Sequence, residues 1–327
     1  MGNKPYVYIT RKIPEKMIQR LREVAEVGMW EHEDIPVPRQ VLLQEVEKAQ
    51  GLFVMLSDKI DAEVINRGTK LKVVANFAVG YDNIDIETAT KRGIAVSNTP
   101  DILRDTTADL TFSLVLMTGR RLIEASDCVR TGKWTSWAPF FMAGTDIHHK
   151  TIGIVGMGNI GTAVAKRAQG FDMKVLYYNR NRKLDVEERL NVEYRPFDEL
   201  IQESDYVVCL TPLNESTRHL FNKQVFKNMK NSAFFINASR GAVVVEEDLL
   251  WALKEGEIAG AGLDVFTVEP VNPNHPLLAL PNVVALPHIG SASYETREAM
   301  GIRCCENIEL VLTGKKPINL VNKEIYS

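Results

Sequence analysis

Cysteine is scarce in this chain: four in 327 residues, Cys128, Cys209, Cys304 and Cys305, at irregular spacing. That number and pattern supply neither a disulfide framework nor a zinc site. The thiols are expected to be core side chains in a reducing cytoplasm, and no metal is expected. An excess of charge of one sign is also lacking. Lys and Arg number 39 against 42 Asp and Glu, a net charge of −3, which gives no basic field to attract nucleic acid. No uninterrupted apolar stretch approaches the ~20 residues needed to cross a bilayer. The opening MGNKPYVYIT lacks the apolar core of a signal peptide. It also has Tyr6 where a myristoylation signal wants Ser or Thr. Nucleic acid and membrane are therefore not expected as partners.

Alternation is what the chain does have. Strand-like YVYIT (from Tyr6), VGMW (from Val27), GLFVML (from Gly51), KVVANFA (from Lys72) and GIAVSNT (from Gly93) are separated by helix-like segments. One of these, PEKMIQRLREVA, has proline at its first turn and apolar residues at helical spacing. DILRDTTADLTFSLVLMTGRR, from Asp101, reads as one long helix. A second alternation runs to about Pro287 through DYVVCL (from Asp205), AFFINA (from Ala233), IAGAGLDVF (from Ile258) and VVALP (from Val283). The last residues, from about His288, read as one helix and a tail. Such βαβ series predict an α/β protein of two doubly wound parallel-sheet domains. The expected division is 1–100 plus 288–327 for a substrate domain and 101–287 for a dinucleotide-binding domain. Open α/β sheets bind ligands at the carboxyl ends of their strands, so chemistry is expected in a cleft between the domains.

The segment from Leu122 to Lys150 breaks the alternation. It contains WTSWAPFFMAG, and Trp134, Trp137, Phe140 and Phe141 together would form an exposed apolar patch on a monomer. Residues 119–150 are expected to be an arm that makes a homodimer; folding back on its own domain is the alternative.

The glycine turn carries the strongest signal. In TIGIVGMGNIG, Gly156, Gly158 and Gly161 follow a β-branched run and open a helix, and a second strand, MKVLYYN, follows at βαβ distance. Gly156 lets the strand turn, Gly158 lets backbone approach a pyrophosphate, and Gly161 lets the helix lie on the sheet. The helix N-terminus then favours the phosphate through unpaired N–H groups and its dipole. An NAD-preferring unit places an acid at the end of its second strand. Here Asn179, Arg180, Asn181, Arg182 and Lys183 stand there. A missing acid and clustered base favour NADP(H), with NAD(H) possible.

Three residues at strand ends suit one reaction: Arg240 in NASRG, Glu269 in VEP and His288 in PHIGS. Arg240 is a fork for the carboxylate of a 2-oxo acid. Histidine is the side-chain type whose ordinary titration falls near neutral pH, so His288 suits the role of proton donor. Glu269 beside it would favour the imidazolium and orient the ring.

These motifs, in order behind GMGNIG, resemble the D-isomer-specific 2-hydroxyacid dehydrogenase family over essentially the whole chain. YYNRNRK, GKWTSWAPFFMAG and NHPLL are most similar to its glyoxylate/hydroxypyruvate reductase branch. The resemblance implies a flavodoxin-like substrate domain and a Rossmann-type domain, with Arg240, Glu269 and His288 as the catalytic trio. It implies that N–H groups of Val79 and Gly80 grip the substrate carboxylate. It puts Met157, Gly158, Asn159 and Ile160 on phosphate, and Asn179, Arg180, Asn181 and Arg182 by the ribose. Thr107, Thr211, Pro212, Ala238, Ser239, Asp264 and Gly290 would line the nicotinamide end. Met55, Leu56 and Trp137 would line the substrate pocket, Trp137 from a neighbouring subunit. The expected activity is NADPH-dependent reduction of glyoxylate to glycolate and hydroxypyruvate to D-glycerate. A relative acting on pyruvate, 2-ketogluconate or phenylpyruvate is the alternative, and a non-catalytic nicotinamide-sensing scaffold a further one.

Overall fold

The computed structural model describes residues 4–326. The chain divides into two compact units, Met1–Leu103 with Ser293–Ser327, and Arg104–Ala292. The second unit thus runs through Ala292 and contains His288, whereas the sequence reading set the return to the first domain at 288.

The first unit carries β1 (Tyr6–Ile9), α1 (Glu15–Val24), β2 (Glu26–Met29), α2 (Arg39–Val46), β3 (Gly51–Val54), α3 (Ala62–Arg67), β4 (Val73–Asn76), α4 (Ile86–Lys91) and β5 (Ala95–Ser97). Its sheet runs β2-β1-β3-β4-β5 with every pair parallel, the flavodoxin-like order. Strands β3 and β4 are buried along their whole length. That is why they read as unbroken apolar runs rather than alternating ones. Helix α1 starts behind Pro14 and buries Met17, Ile18 and Leu21. Asp61 and Asp85 cap α3 and α4 by accepting from the N–H groups of Val64 and Thr88. The closing helix, α12 (Tyr294–Leu312), buries Met300, Cys304, Cys305 and Ile308 in this unit.

The second unit holds α5 (Arg104–Gly119), α6 (Leu122–Arg130), β6 (Thr151–Val155), α7 (Asn159–Gln169), β7 (Lys174–Tyr178), α8 (Leu184–Leu190), β8 (Glu193–Tyr194), α9 (Phe197–Glu203), β9 (Tyr206–Cys209), α10 (Lys223–Asn228), β10 (Phe234–Asn237), α11 (Glu246–Glu255), β11 (Gly260–Leu263) and β12 (Val283–Ala285). Its parallel sheet runs β12-β11-β10-β9-β6-β7-β8. Numbered from β6, that is 3-2-1-4-5-6-7, the Rossmann order with a further strand. The order reverses between β6 and β9, so the carboxyl ends of those strands form the switch point where ligands bind such sheets. Aromatic side chains fill the core: Tyr177, Tyr206, Phe221, Phe226 and Phe235 are fully buried. The Phe221 and Phe235 rings lie 4.7 Å apart.

Local differences from the sequence reading have local causes. Helix α5 begins at Arg104 rather than Asp101, whose φ of 70° breaks a right-handed helix. The segment after Leu122 is helical as far as Arg130, and only Cys128 of that helix is buried. A helix with one buried residue leaves little periodic trace. Strand β8, two residues long, was not expected.

Candidate active site

Arg240, Glu269 and His288 all belong to the second unit. Arg240 lies in the turn after β10, which the side chain of Asn237 fixes. Asn237 Oδ1 accepts from the Ser239 N–H at 3.0 Å and its hydroxyl at 2.9 Å, and Nδ2 donates to the Arg240 carbonyl at 3.1 Å. Gly241 follows because a Cβ there would collide with the backbone of Phe266 and Thr267, against which the turn is packed.

Glu269 uses both oxygens. Oε1 accepts from the Phe266 N–H at 2.9 Å, and Oε2 lies 2.7 Å from His288 Nδ1. A carboxylate offers only lone pairs, so Nδ1 is the donor in this pair. His288 Nε2 has no partner among the described residues. Burial pushes the Glu269 carboxyl upward, but the hydrogen bond and charge of His288, the Phe266 N–H and the charge of Arg240 outweigh it. The group is held below its ordinary 4.5. Arg240 thus acts electrostatically on the carboxylate that holds the histidine.

His288 has φ of 54°, a left-handed backbone that non-glycine residues seldom adopt. Asp264, 1 % exposed, holds it there. Its carbonyl accepts from the His288 N–H, its Oδ1 from Ile289 and its Oδ2 from Gly290, each at 2.8 Å. Burial raises the Asp264 carboxyl above its ordinary value in spite of these bonds. A Cβ on Gly290 would sit 3.2 Å from Asp264 Oδ2 and 3.3 Å from Thr107 Cγ2, so Thr107, Asp264 and Gly290 are immediate neighbours.

The glycine turn lies at the switch point. Gly156 has φ of 110°, and a Cβ on it would come within 2.7 Å of the Leu210 carbonyl carbon and 2.8 Å of the Thr211 nitrogen. Leu210 and Thr211 therefore flank it. Gly158 caps α7 without any side-chain cap, and a Cβ on it would meet nothing within 4 Å. The N–H groups of a helix's first turn, here Asn159 to Gly161, point out of its hydrogen-bond ladder. An open approach to such a helix N-terminus fits a dinucleotide phosphate. The Met157 N–H donates to Asn179 Oδ1 at 2.8 Å. Ala238 and Ser239, after β10, are partly buried, with the Ser239 hydroxyl 3.3 Å from Cys209 Sγ.

The basic turn after β7 is unequal in its parts. Arg180, Asn181 and Lys183 are exposed. Arg182 closes on Glu187, with Nε and Nη2 each 2.7 Å from one carboxylate oxygen.

In the first unit, Val79 and Gly80 follow β4. Asn98 Nδ2 donates to the Val79 carbonyl at 2.8 Å, and Asn76 Nδ2 to the Gly80 carbonyl at 2.7 Å. Both carbonyls are thus engaged, and neither N–H has a partner among the described residues. Two adjacent unpaired N–H groups are a ready contact for a carboxylate. Met55 and Leu56 follow β3 and are half-buried. Asp58 steadies that loop by accepting from the Met55 N–H at 2.8 Å and from Arg11 Nη1 at 3.2 Å. Trp137 lies in the arm, 79 % exposed, with Phe140 at 87 %.

Asn76, Asn98, Asp58 and Asn237 escaped the sequence reading. The available signal was an amide or acid closing an apolar strand, as in VVAN and FFIN. Among the described residues, no group of three or more His, Cys, Asp or Glu side chains is placed to hold a metal, and no helix is long and apolar enough to cross a membrane.

Residues 112–290 match the family described as D-isomer specific 2-hydroxyacid dehydrogenase, NAD binding domain. A glyoxylate reductase of Pyrococcus horikoshii is 50% identical, over 98% of this chain and 97% of its own. A protein of Thermus thermophilus of solved structure is 44% identical with a TM-score of 0.91, covering 97% of this chain and 99% of its own. The NADPH-dependent glyoxylate/hydroxypyruvate reductase of Sinorhizobium meliloti, solved with NADP and malonate, is 33% identical with a TM-score of 0.86, over 98% of this chain and 97% of its own. With two parallel α/β units, a glycine turn built for a dinucleotide and a carboxylate-held histidine, this chain belongs to the D-isomer-specific 2-hydroxyacid dehydrogenases, oxidoreductases that act on small 2-hydroxy and 2-oxo acids with a nicotinamide cofactor.

Proposed function

We propose that the protein reduces glyoxylate to glycolate and hydroxypyruvate to D-glycerate, with NADPH preferred and NADH accepted. The observation that carries the chemistry is the 2.7 Å pair of His288 Nδ1 and Glu269 Oε2, which leaves Nε2 for a substrate oxygen. The names of the Pyrococcus and Sinorhizobium relatives support the substrates, and the coenzyme of the second supports NADPH. The exposed Arg180 and the lack of an acid at Asn179 support it from this chain.

When bound, the reduced nicotinamide supplies a hydride to the keto carbon of the substrate. Arg240 pairs with the substrate carboxylate and draws charge toward the carbonyl oxygen. The N–H groups of Val79 and Gly80 hold carboxylate oxygens. His288, charged and donating through Nδ1 to Glu269, gives its Nε2 proton to the oxygen as negative charge develops there. Glu269 stabilises the charged ring before transfer and keeps it in one orientation. The product carries one hydride and one proton more than the 2-oxo acid, and a neutral imidazole remains.

The protein acts as a homodimer joined through its arm. Trp134, Trp137, Phe140 and Phe141 are 45 to 87 % exposed, and large exposed apolar side chains gathered in so short a segment support an interface there. Trp137 then narrows the partner's substrate pocket, together with Met55 and Leu56.

The deciding experiment is kcat/KM for glyoxylate, hydroxypyruvate, pyruvate and 2-ketogluconate, each with both reduced coenzymes. Glyoxylate and hydroxypyruvate with NADPH are expected to lead. Absence of NADPH oxidation with every 2-oxo acid overturns the reading in favour of a sensor without catalysis.

A further inference from the structure

Three cations crowd the turn between β7 and α8, yet the structure treats them differently. We infer that Glu187 limits the coenzyme preference of this turn by occupying the guanidinium of Arg182, so that Arg180 is the arginine that meets a 2′-phosphate. The inference rests on reading residues 179–183 as the site of the coenzyme ribose.

Arg182 meets Glu187 edge to edge, with Nε to Oε1 and Nη2 to Oε2 both at 2.7 Å. The same guanidinium lies over the Tyr194 ring, 5.6 Å from its centroid. A bidentate pair of this kind uses the geometry by which Arg otherwise grips a phosphate. Glu187 is itself fixed. It accepts from the Tyr177 hydroxyl at 2.6 Å, and that hydroxyl accepts from the Lys183 N–H at 2.7 Å. The Arg182 hydrogen bond, then Tyr177, lower its carboxyl from 4.5 to about 2. Glu187 therefore stays ionised at any working pH and keeps the guanidinium of Arg182 paired, so the two charges largely cancel toward a phosphate beside the turn. Arg180 and Lys183 are exposed, and neither side chain has a hydrogen-bond or ion-pair partner among the described residues.

The test is binding, not turnover. Calorimetry with 2′,5′-ADP and with 5′-AMP gives the ratio of their affinities, which isolates the 2′-phosphate. Arg180→Ala is expected to lower the ratio about tenfold, the loss of one strong charge-assisted contact. Arg182→Ala is expected to leave it within about twofold, because the arginine it removes is already engaged. Glu187→Gln keeps an acceptor for Tyr177 while removing the charge. It is expected to raise the ratio about threefold or more, and the gain is expected to vanish in the Glu187→Gln/Arg182→Ala double variant. An unchanged ratio in Glu187→Gln, or a loss in Arg182→Ala equal to that in Arg180→Ala, overturns the inference. Should Glu187→Gln fail to fold, seen as loss of 5′-AMP binding, the two arginine variants decide alone. A wild-type ratio of one or less contradicts the NADPH preference itself, while the ratios among variants still decide the role of Glu187.

Discussion

Nδ1 of His288 lies 2.7 Å from Oε2 of Glu269, while the backbone of the same histidine is bent to φ of 54° and tied by its N–H to the carbonyl of Asp264. Ring and main chain are thus held by two different acids. Glu269 sets the orientation of the imidazole and Asp264 sets where it starts. A left-handed non-glycine residue persists only where its surroundings impose it, and here the imposing groups are the three acceptors of Asp264.

Replacing His288 with Ala tests its proposed role as proton donor and leaves the glycine turn intact. The expected result is a fall in kcat of ~10²–10⁴-fold, with the dissociation constant for NADPH unchanged by fluorescence titration. Near-normal turnover removes His288 from the mechanism.

Asp264→Asn keeps the shape and converts one of the two oxygens into a donor facing an N–H group. The buried amide then leaves Ile289 or Gly290 unpaired, at a cost of about 1–3 kcal/mol. Reduced thermal stability with a lowered kcat is expected. Unchanged melting and kinetics would mean the 288–290 loop does not need its brace.

Asn76→Ala and Asn98→Ala release the carbonyls of Gly80 and Val79. A raised KM for the 2-oxo acid is expected in each, by several-fold or more, with coenzyme affinity unaltered because both residues lie in the first unit. A rise in coenzyme dissociation constant equal to the rise in KM would refute their part in carboxylate binding.

The pH dependence of stability has a definite sign. Glu187 is lowered from 4.5 to about 2, so its contribution is complete above pH 4.5 and is lost as the pH falls through 2. Glu269 is also lowered and acts in the same direction. Melting temperature is therefore expected to fall on acidification below pH 4.5, and less steeply in Glu187→Gln than in the wild type. Parallel curves would show that Glu187 contributes nothing to this slope.

Phe235→Ala empties a fully buried site on β10, the strand that carries the Arg240 turn. Large-to-small changes of this kind cost ~3–5 kcal/mol. The expected readout is a lower denaturant midpoint at unchanged slope.

Much of this was legible in the sequence because the physics is local. Strands buried on both faces announced themselves as apolar runs, and the order of motifs gave two parallel α/β units. Gly156 was readable because its φ of 110° excludes other residues. What escaped depended on groups distant in sequence or lacking periodicity. Helix α6 buries only Cys128, so its pattern is nearly silent. The pairing of Arg182 with Glu187 requires knowing how the chain bends between a strand and a helix, which three adjacent basic letters do not reveal. Asp264 was expected to line the nicotinamide end. That its carboxylate grips the backbone of Ile289 and Gly290 follows only from the close approach of β11 and the segment after β12.

Asn179 links two features that would otherwise vary independently, because its Oδ1 fastens the Met157 N–H of the glycine turn. An aspartate at that position would present an oxygen in the same place and add a negative charge. The turn is fastened by an atom that both side chains supply, so an exchange at position 179 could alter the charge beside the glycine turn while leaving its backbone tied.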